Sequence, residues 1–273
     1  MQIRIDDLEF NLLIDESELA SKKTHVLFLH GFTGCAEDWK FIFDKLPPRF
    51  CPVAIDLIGH GKSSKTDNPE YYSTDSHVYQ LNAIIKKLKL SKIILCGYSM
   101  GGRVALSFAV KYPKKISALI LESASPGIED FNSKKERVEF DLLLADKIRK
   151  EGIESFMEFW FNMPIFESLK EIPNYDEIKN NRAQNDVIGL SNSLSGFSTG
   201  LMPSYWKKLD KLKFPALLIS GSNDIKYTTT NSRMRTLIKN SRHEIIENCG
   251  HNTHLEKPEL FTNFVREFLS SNF

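Results

Sequence analysis

The 273-residue chain has no run approaching the roughly 20 apolar residues that a membrane-crossing helix requires, which excludes a helical span. It also lacks a charge excess. With 36 basic and 35 acidic side chains the net charge is +1, so no broad field draws the protein to nucleic acid or an anionic membrane, and any charged ligand must be recognised locally. Cysteine is sparse and scattered: Cys35, Cys51, Cys96 and Cys249 show no CxxC spacing, and two of them lie in apolar, strand-like runs. They read as reduced packing residues of a cytoplasmic protein rather than a disulfide framework. Met1 to Asp7 carries charges where a signal peptide would be apolar, and no leader is expected. No His, Cys and carboxylate cluster has metal spacing, so no metal site is expected. Internal repeats, low-complexity tracts and linkers are also missing, as expected for one compact unit.

What the chain does have is alternation. Short aliphatic or β-branched runs at His25–Leu29, Cys51–Ile55, Ile93–Cys96, Ala118–Leu121, Ala216–Ser220 and His243–Ile246 read as buried parallel strands. Between them, Asp75–Leu88, Gly102–Tyr112 and Pro258–Leu269 repeat apolar residues at helical spacing. Alternating βα units imply a parallel sheet covered on both faces. Residues near Met1 to Ile14 read as an N-terminal antiparallel hairpin. The alternation stops between Ile128 and Tyr205, where strand runs vanish and Phe, Met and Trp recur among charges. The expected organisation is a core over residues 1–127 and 206–273 with a helical lid, residues 128–205, over the carboxyl ends of the strands.

The densest chemistry lies at Gly97-Tyr98-Ser99-Met100-Gly101, after one of these strands and at the start of a helix. A sharp strand-to-helix turn exposes a serine, and the close approach of strand and helix wants residues without a Cβ two places before and after it. Unpaired amides at the start of that helix are suited to an anion forming at the serine. A serine needs a base. His251 follows the last strand run, and Asp224, which would orient it, follows the penultimate one. Glu122, also at a strand end, is a competing acid. The remaining histidines, His25, His60, His77 and His243, read as structural or solvated, while His254 lies close enough to His251 to be mistaken for the base. The backbone amides of Met100 and of Phe32, in Leu29-His30-Gly31-Phe32-Thr33-Gly34, are the expected oxyanion donors.

Taken together, these segments resemble the α/β-hydrolase superfamily, in which the order Ser99, Asp224, His251 is the expected one. The resemblance implies an α/β-hydrolase fold with a mostly parallel eight-stranded sheet flanked by helices, and a lid inserted after the sixth strand. Within it, His30-Gly31-Phe32, Asp56-Leu57-Ile58-Gly59-His60-Gly61, Gly97 to Arg103, Glu122 to Gly127 and Gly250-His251-Asn252 resemble the 2-succinyl-6-hydroxy-2,4-cyclohexadiene-1-carboxylate synthases of menaquinone biosynthesis. That resemblance implies a lyase that eliminates pyruvate, with the triad acting as a base and no metal or organic cofactor. It also implies a small anionic substrate gathered by Tyr98, Arg103, Arg137, Trp160 and Arg182.

Arg103 gains some independent support. In the first turn of a helix the macrodipole disfavours a cation by roughly 0.3–1 kcal/mol, a cost that an anion in the pocket would offset. A solvent-facing arginine, or a partner for a core carboxylate, is its plainer reading. For Trp160 the plainer reading is lid core. Residues 128–205 hold 9 basic and 14 acidic side chains, so inward arginines would have to outweigh an acidic outer face. A serine hydrolase with the same triad, and a non-catalytic ligand sensor, are the competing functions. No nucleic-acid or membrane partner is expected, and the chain is read as a monomer or weak homo-oligomer.

Overall fold

The computed structural model describes residues 1–19 and 21–273. Eight strands form one sheet: β1 (Gln2–Ile5), β2 (Leu8–Leu13), β3 (Thr24–Leu29), β4 (Phe50–Ile55), β5 (Ile93–Tyr98), β6 (Ile116–Glu122), β7 (Ala216–Gly221) and β8 (Ser241–Ile246). Their order is β1-β2-β4-β3-β5-β6-β7-β8. The β1–β2 and β2–β4 pairs are antiparallel and every other pair is parallel, which is the eight-stranded, mostly parallel sheet expected.

The strands alternate between two cores. Leu27 and Leu29 of β3 face one apolar cluster, while Val26 and Phe28 face the other, as the two-residue period of a strand requires. Because both faces are covered, the central strands read as continuous aliphatic runs. The connecting helices supply the covers. They are α1 (Lys40–Phe43), α2 (Thr74–Lys87), α3 (Ser99–Lys111), α4 (Phe131–Phe161), α5 (Tyr175–Arg182), α6 (Val187–Gly196), α7 (Ile225–Leu237), α8 (Thr253–Glu256) and α9 (Pro258–Asn272). Val78 and Leu81 of α2 and Val104 and Phe108 of α3 pack on the first face. Ile42 of α1 and Phe261 and Val265 of α9 pack on the second. No helix among the described residues is long and apolar enough to cross a membrane.

Helices α4 to α6 lie between β6 and β7 in the chain and have an apolar cluster of their own, including Leu144, Ile148, Phe156, Leu169 and Leu190. Asp130 caps α4 by accepting from the Ser133 amide at 2.7 Å. Gly152, at φ 81° and ψ 174°, breaks α4 into two segments. Phe32 packs against both this cluster and the first core face, so the loop after β3 meets the insert directly.

Candidate active site

Ser99 has φ 47°, the left-handed conformation of a sharp turn between β5 and α3. A Cβ on Gly97 would stand 2.5 Å from the Gly101 carbonyl oxygen, and one on Gly101 would strike the carbonyls of Leu29 and His30. Backbone fills the space on both sides of the serine, which is why glycine stands at each position. The helix starts at Ser99 itself.

The loops after β7 and β8 converge on this turn. Asp224 Oδ2 lies 2.6 Å from His251 Nδ1, and His251 Nε2 lies 3.0 Å from Ser99 Oγ. Asp224 also caps α7, its Oδ1 accepting from the Tyr227 amide at 3.3 Å. With Nδ1–H donating to Asp224, the Nε2 lone pair faces the serine hydroxyl. Asp224 and His251 are 8% and 3% exposed, so water competes weakly for these bonds. Tyr227 and Tyr98 flank the imidazole, with ring centroids 4.7 and 5.2 Å from it. Glu122, the competing acid, faces His254 instead. It accepts from His254 Nδ1 at 2.9 Å, from the His254 amide at 3.0 Å and from Thr253 Oγ1 at 2.7 Å.

The Phe32 and Met100 amides donate to no other group among the described residues. Both residues border one cavity of about 390 Å³ together with Ser99 and His251. Thr33, at φ 68°, turns the loop after β3, and Asn185 just beyond α5 donates to the Thr33 carbonyl at 2.8 Å. The insert thus ties down the loop that carries Phe32.

The cavity wall is largely apolar, with three cations and one carboxylate of the insert set into it: Arg103, Arg137, Lys226 and Asp141. Arg103 donates to the Phe197 carbonyl at 2.7 Å and lies over the Phe197 ring, with no carboxylate partner among the described residues. Burial, then the neighbouring Arg137, brings its guanidinium down to about 10, still charged at neutral pH. Arg137 Nε donates to Asp141 Oδ2 at 2.8 Å, which fixes its orientation. Trp160 is both cavity wall and part of the insert's aromatic packing, 5.6 Å from Phe156 and 5.2 Å from Phe32 between ring centroids. Tyr98 also borders the cavity, and burial holds its phenol well above its ordinary value.

Arg182 departs from expectation. It is buried and paired with Asp38 at 2.8 Å, and it borders other spaces rather than the cavity at Ser99. Its charge is answered from within the protein by the loop that follows Phe32. Lys226 was missed in the sequence reading. Its signal was position: the second residue of α7, two beyond Asp224, opens onto the same cavity.

A family model described as alpha/beta hydrolase fold matches residues 24–258. The chain is 41% identical over 274 residues to a Bacillus subtilis (strain 168) protein named as a 2-succinyl-6-hydroxy-2,4-cyclohexadiene-1-carboxylate synthase, covering 99% of this chain and 98% of that one. A synthase of the same name from Enterobacter sp. (strain 638) is 31% identical, over 85% of this chain and 86% of its own length. Among solved structures, MenH from S. aureus superposes with a TM-score of 0.90 at 31% identity, over 96% of this chain and 98% of that one. A thermophilic esterase from Thermogutta terrifontis superposes with a TM-score of 0.83 at 25% identity, over 97% and 94%.

Proposed function

The chain belongs to the α/β-hydrolase fold family and, within it, to the family of 2-succinyl-6-hydroxy-2,4-cyclohexadiene-1-carboxylate synthases, and on that footing we propose the chemistry of its site. The reaction is elimination of pyruvate from 2-succinyl-5-enolpyruvyl-6-hydroxy-3-cyclohexene-1-carboxylate, a step of menaquinone biosynthesis.

Comparing the ring double bonds of substrate and product defines the task. The C2–H bond breaks, its electron pair forms C2=C3, the former C3=C4 pair forms C4=C5, and the C5–O bond breaks. The enolpyruvate released takes up a proton on carbon to become pyruvate, so the proton lost from C2 balances the one gained. The C2 hydrogen is the acidic one, being α to the succinyl ketone and allylic. Ser99 and His251 act together as the base, and Asp224 stabilises the imidazolium that results. Charge developing on the ketone oxygen is met by the Phe32 and Met100 amides. Tyr98 and Trp160 border the ring, while Arg103 and Arg137 hold carboxylates. No covalent intermediate and no metal or organic cofactor is required.

The observation that carries this reading is the cavity at Ser99, where Arg103 and Lys226 have no carboxylate partner among the described residues. Arg103 is half-buried and Lys226 exposed at the cavity wall, and a carboxylate ligand would give each a charged partner. Residues 128–205 act as the lid, and the protein works in the cytoplasm, as a monomer or weak homo-oligomer. The test is pyruvate release and diene absorbance with freshly generated substrate. Wild type should exceed the spontaneous background, and Ser99→Ala should lose at least about 100-fold in rate. Release no faster than background would overturn the assignment. The likeness to an esterase favours ester hydrolysis as the second reading, with the same triad forming an acyl-enzyme.

A further inference from the structure

The substrate proposed above carries three carboxylates: one on ring carbon C1, one on the succinyl arm and one on the enolpyruvyl group. Three cations border the cavity: Arg103, Arg137 and Lys226. Arg103 of α3 and Arg137 of α4 are close enough that Arg137 is the main charge acting on Arg103. Arg137 is also the main charge acting on Lys226 of α7, and Asp224, the partner of the base, comes next. Lys226 follows Asp224, which holds His251, by two residues, and so lies near the base. Lys226 makes no ion pair among the described residues. Its ammonium lies 5.5 Å from the Tyr227 ring, and Asp224 is already engaged by His251.

The chemistry sets one of the three carboxylates beside the base. The base must reach the hydrogen on C2, and C1 is bonded to C2, so the C1 carboxylate is held close to the base. The enolpyruvyl group on C5 lies across the ring from it. We propose that Lys226 is the third carboxylate-binding residue of the cavity and takes the ring carboxylate at C1, a group retained in the product. This assignment rests on the lyase reading. It gives Lys226 a binding role, shared by substrate and product, and leaves the proton transfer to Ser99 and His251.

The test compares wild type, Lys226→Gln and Lys226→Arg as purified full-length chains. Steady-state pyruvate release gives KM and kcat, and calorimetric titration with the diene product gives its Kd. Lys226→Gln should raise KM and the product Kd together by about 10-fold, the loss of one charge-assisted hydrogen bond. Its kcat should stay within about 3-fold of wild type, with the same pH profile, because the interaction is equal in ground and transition states. Lys226→Arg should recover most of the binding. An unchanged product Kd in Lys226→Gln overturns the assignment, whether or not KM moves, since a rise in KM alone would place the lysine on the departing group. A wild type that neither releases pyruvate nor binds the diene overturns the lyase reading and this assignment together. A wild type that does both beside an indistinguishable Lys226→Gln removes Lys226 alone.

Discussion

His254 donates its Nδ1–H to Glu122 at 2.9 Å, which commits that fully buried carboxylate to a residue three places beyond His251. Glu122 also takes the Thr253 hydroxyl and the His254 amide, so it pins the start of α8, the segment that follows His251. The His254 ring is stacked on Trp39 at 4.5 Å, closing the arrangement from the other side. Two acid–histidine pairs thus lie side by side, one open to the cavity and one sealed in the core.

The two carboxylates should separate by experiment. Asp224→Asn is expected to lower kcat by at least about 100-fold with little change in the unfolding midpoint, because only the orientation and charge balance of His251 are lost. Glu122→Ala is expected to destabilise the fold by about 3 kcal/mol, since it leaves buried donors on Thr253 and His254 unpaired. Pyruvate release and urea unfolding on both variants check this; equal effects on both readouts would contradict the division of roles.

Arg103→Ala should reduce kcat/KM for the tricarboxylate by about 100-fold, as the loss of a buried charge-assisted contact implies. A neutral aryl ester, if it is turned over at all, should be barely affected. Parallel steady-state assays on the two substrates decide it, and equal losses would mean that Arg103 supports the elbow rather than the substrate.

Gly101→Ala should cripple the protein without touching any polar group. Its methyl would be driven into the Leu29 and His30 carbonyls, forcing α3 away from β3 and Ser99 away from His251. Both the melting temperature and the rate should fall, whereas Ser99→Ala should lower only the rate.

Stability should fall on acidification below about pH 6.5, ahead of carboxylate titration. Burial lowers His30 and His60, and it brings His77, stacked on Phe197, down to about 4. For such groups the unfolded chain binds protons first, so their contribution is complete above the unfolded value near 6.5 and is lost as pH drops toward the folded one. Each should add a slope of about 1.4 kcal/mol per pH unit within its window. Urea midpoints between pH 7.5 and 5 measure it, and His77→Gln should flatten the curve.

Much of this protein was legible in its sequence because the determinants are local. Strands buried on both faces must be continuously aliphatic, so β3 to β7 announced themselves. A serine at φ 47° between a strand and a helix needs Gly97 and Gly101, so the turn did too. Ser99 directly follows β5, Asp224 and His251 lie in the loops after β7 and β8, and chain order alone favoured Asp224 over Glu122. What only the tertiary structure decided was pairing: Asp224 with His251, Glu122 with His254, Arg182 with Asp38, and Lys226 at the cavity with no ion pair among the described residues. A hydrogen bond weakens over a few tenths of an ångström. That precision comes from how strands far apart in the chain are registered and how the helical insert packs over them, and no residue carries it alone.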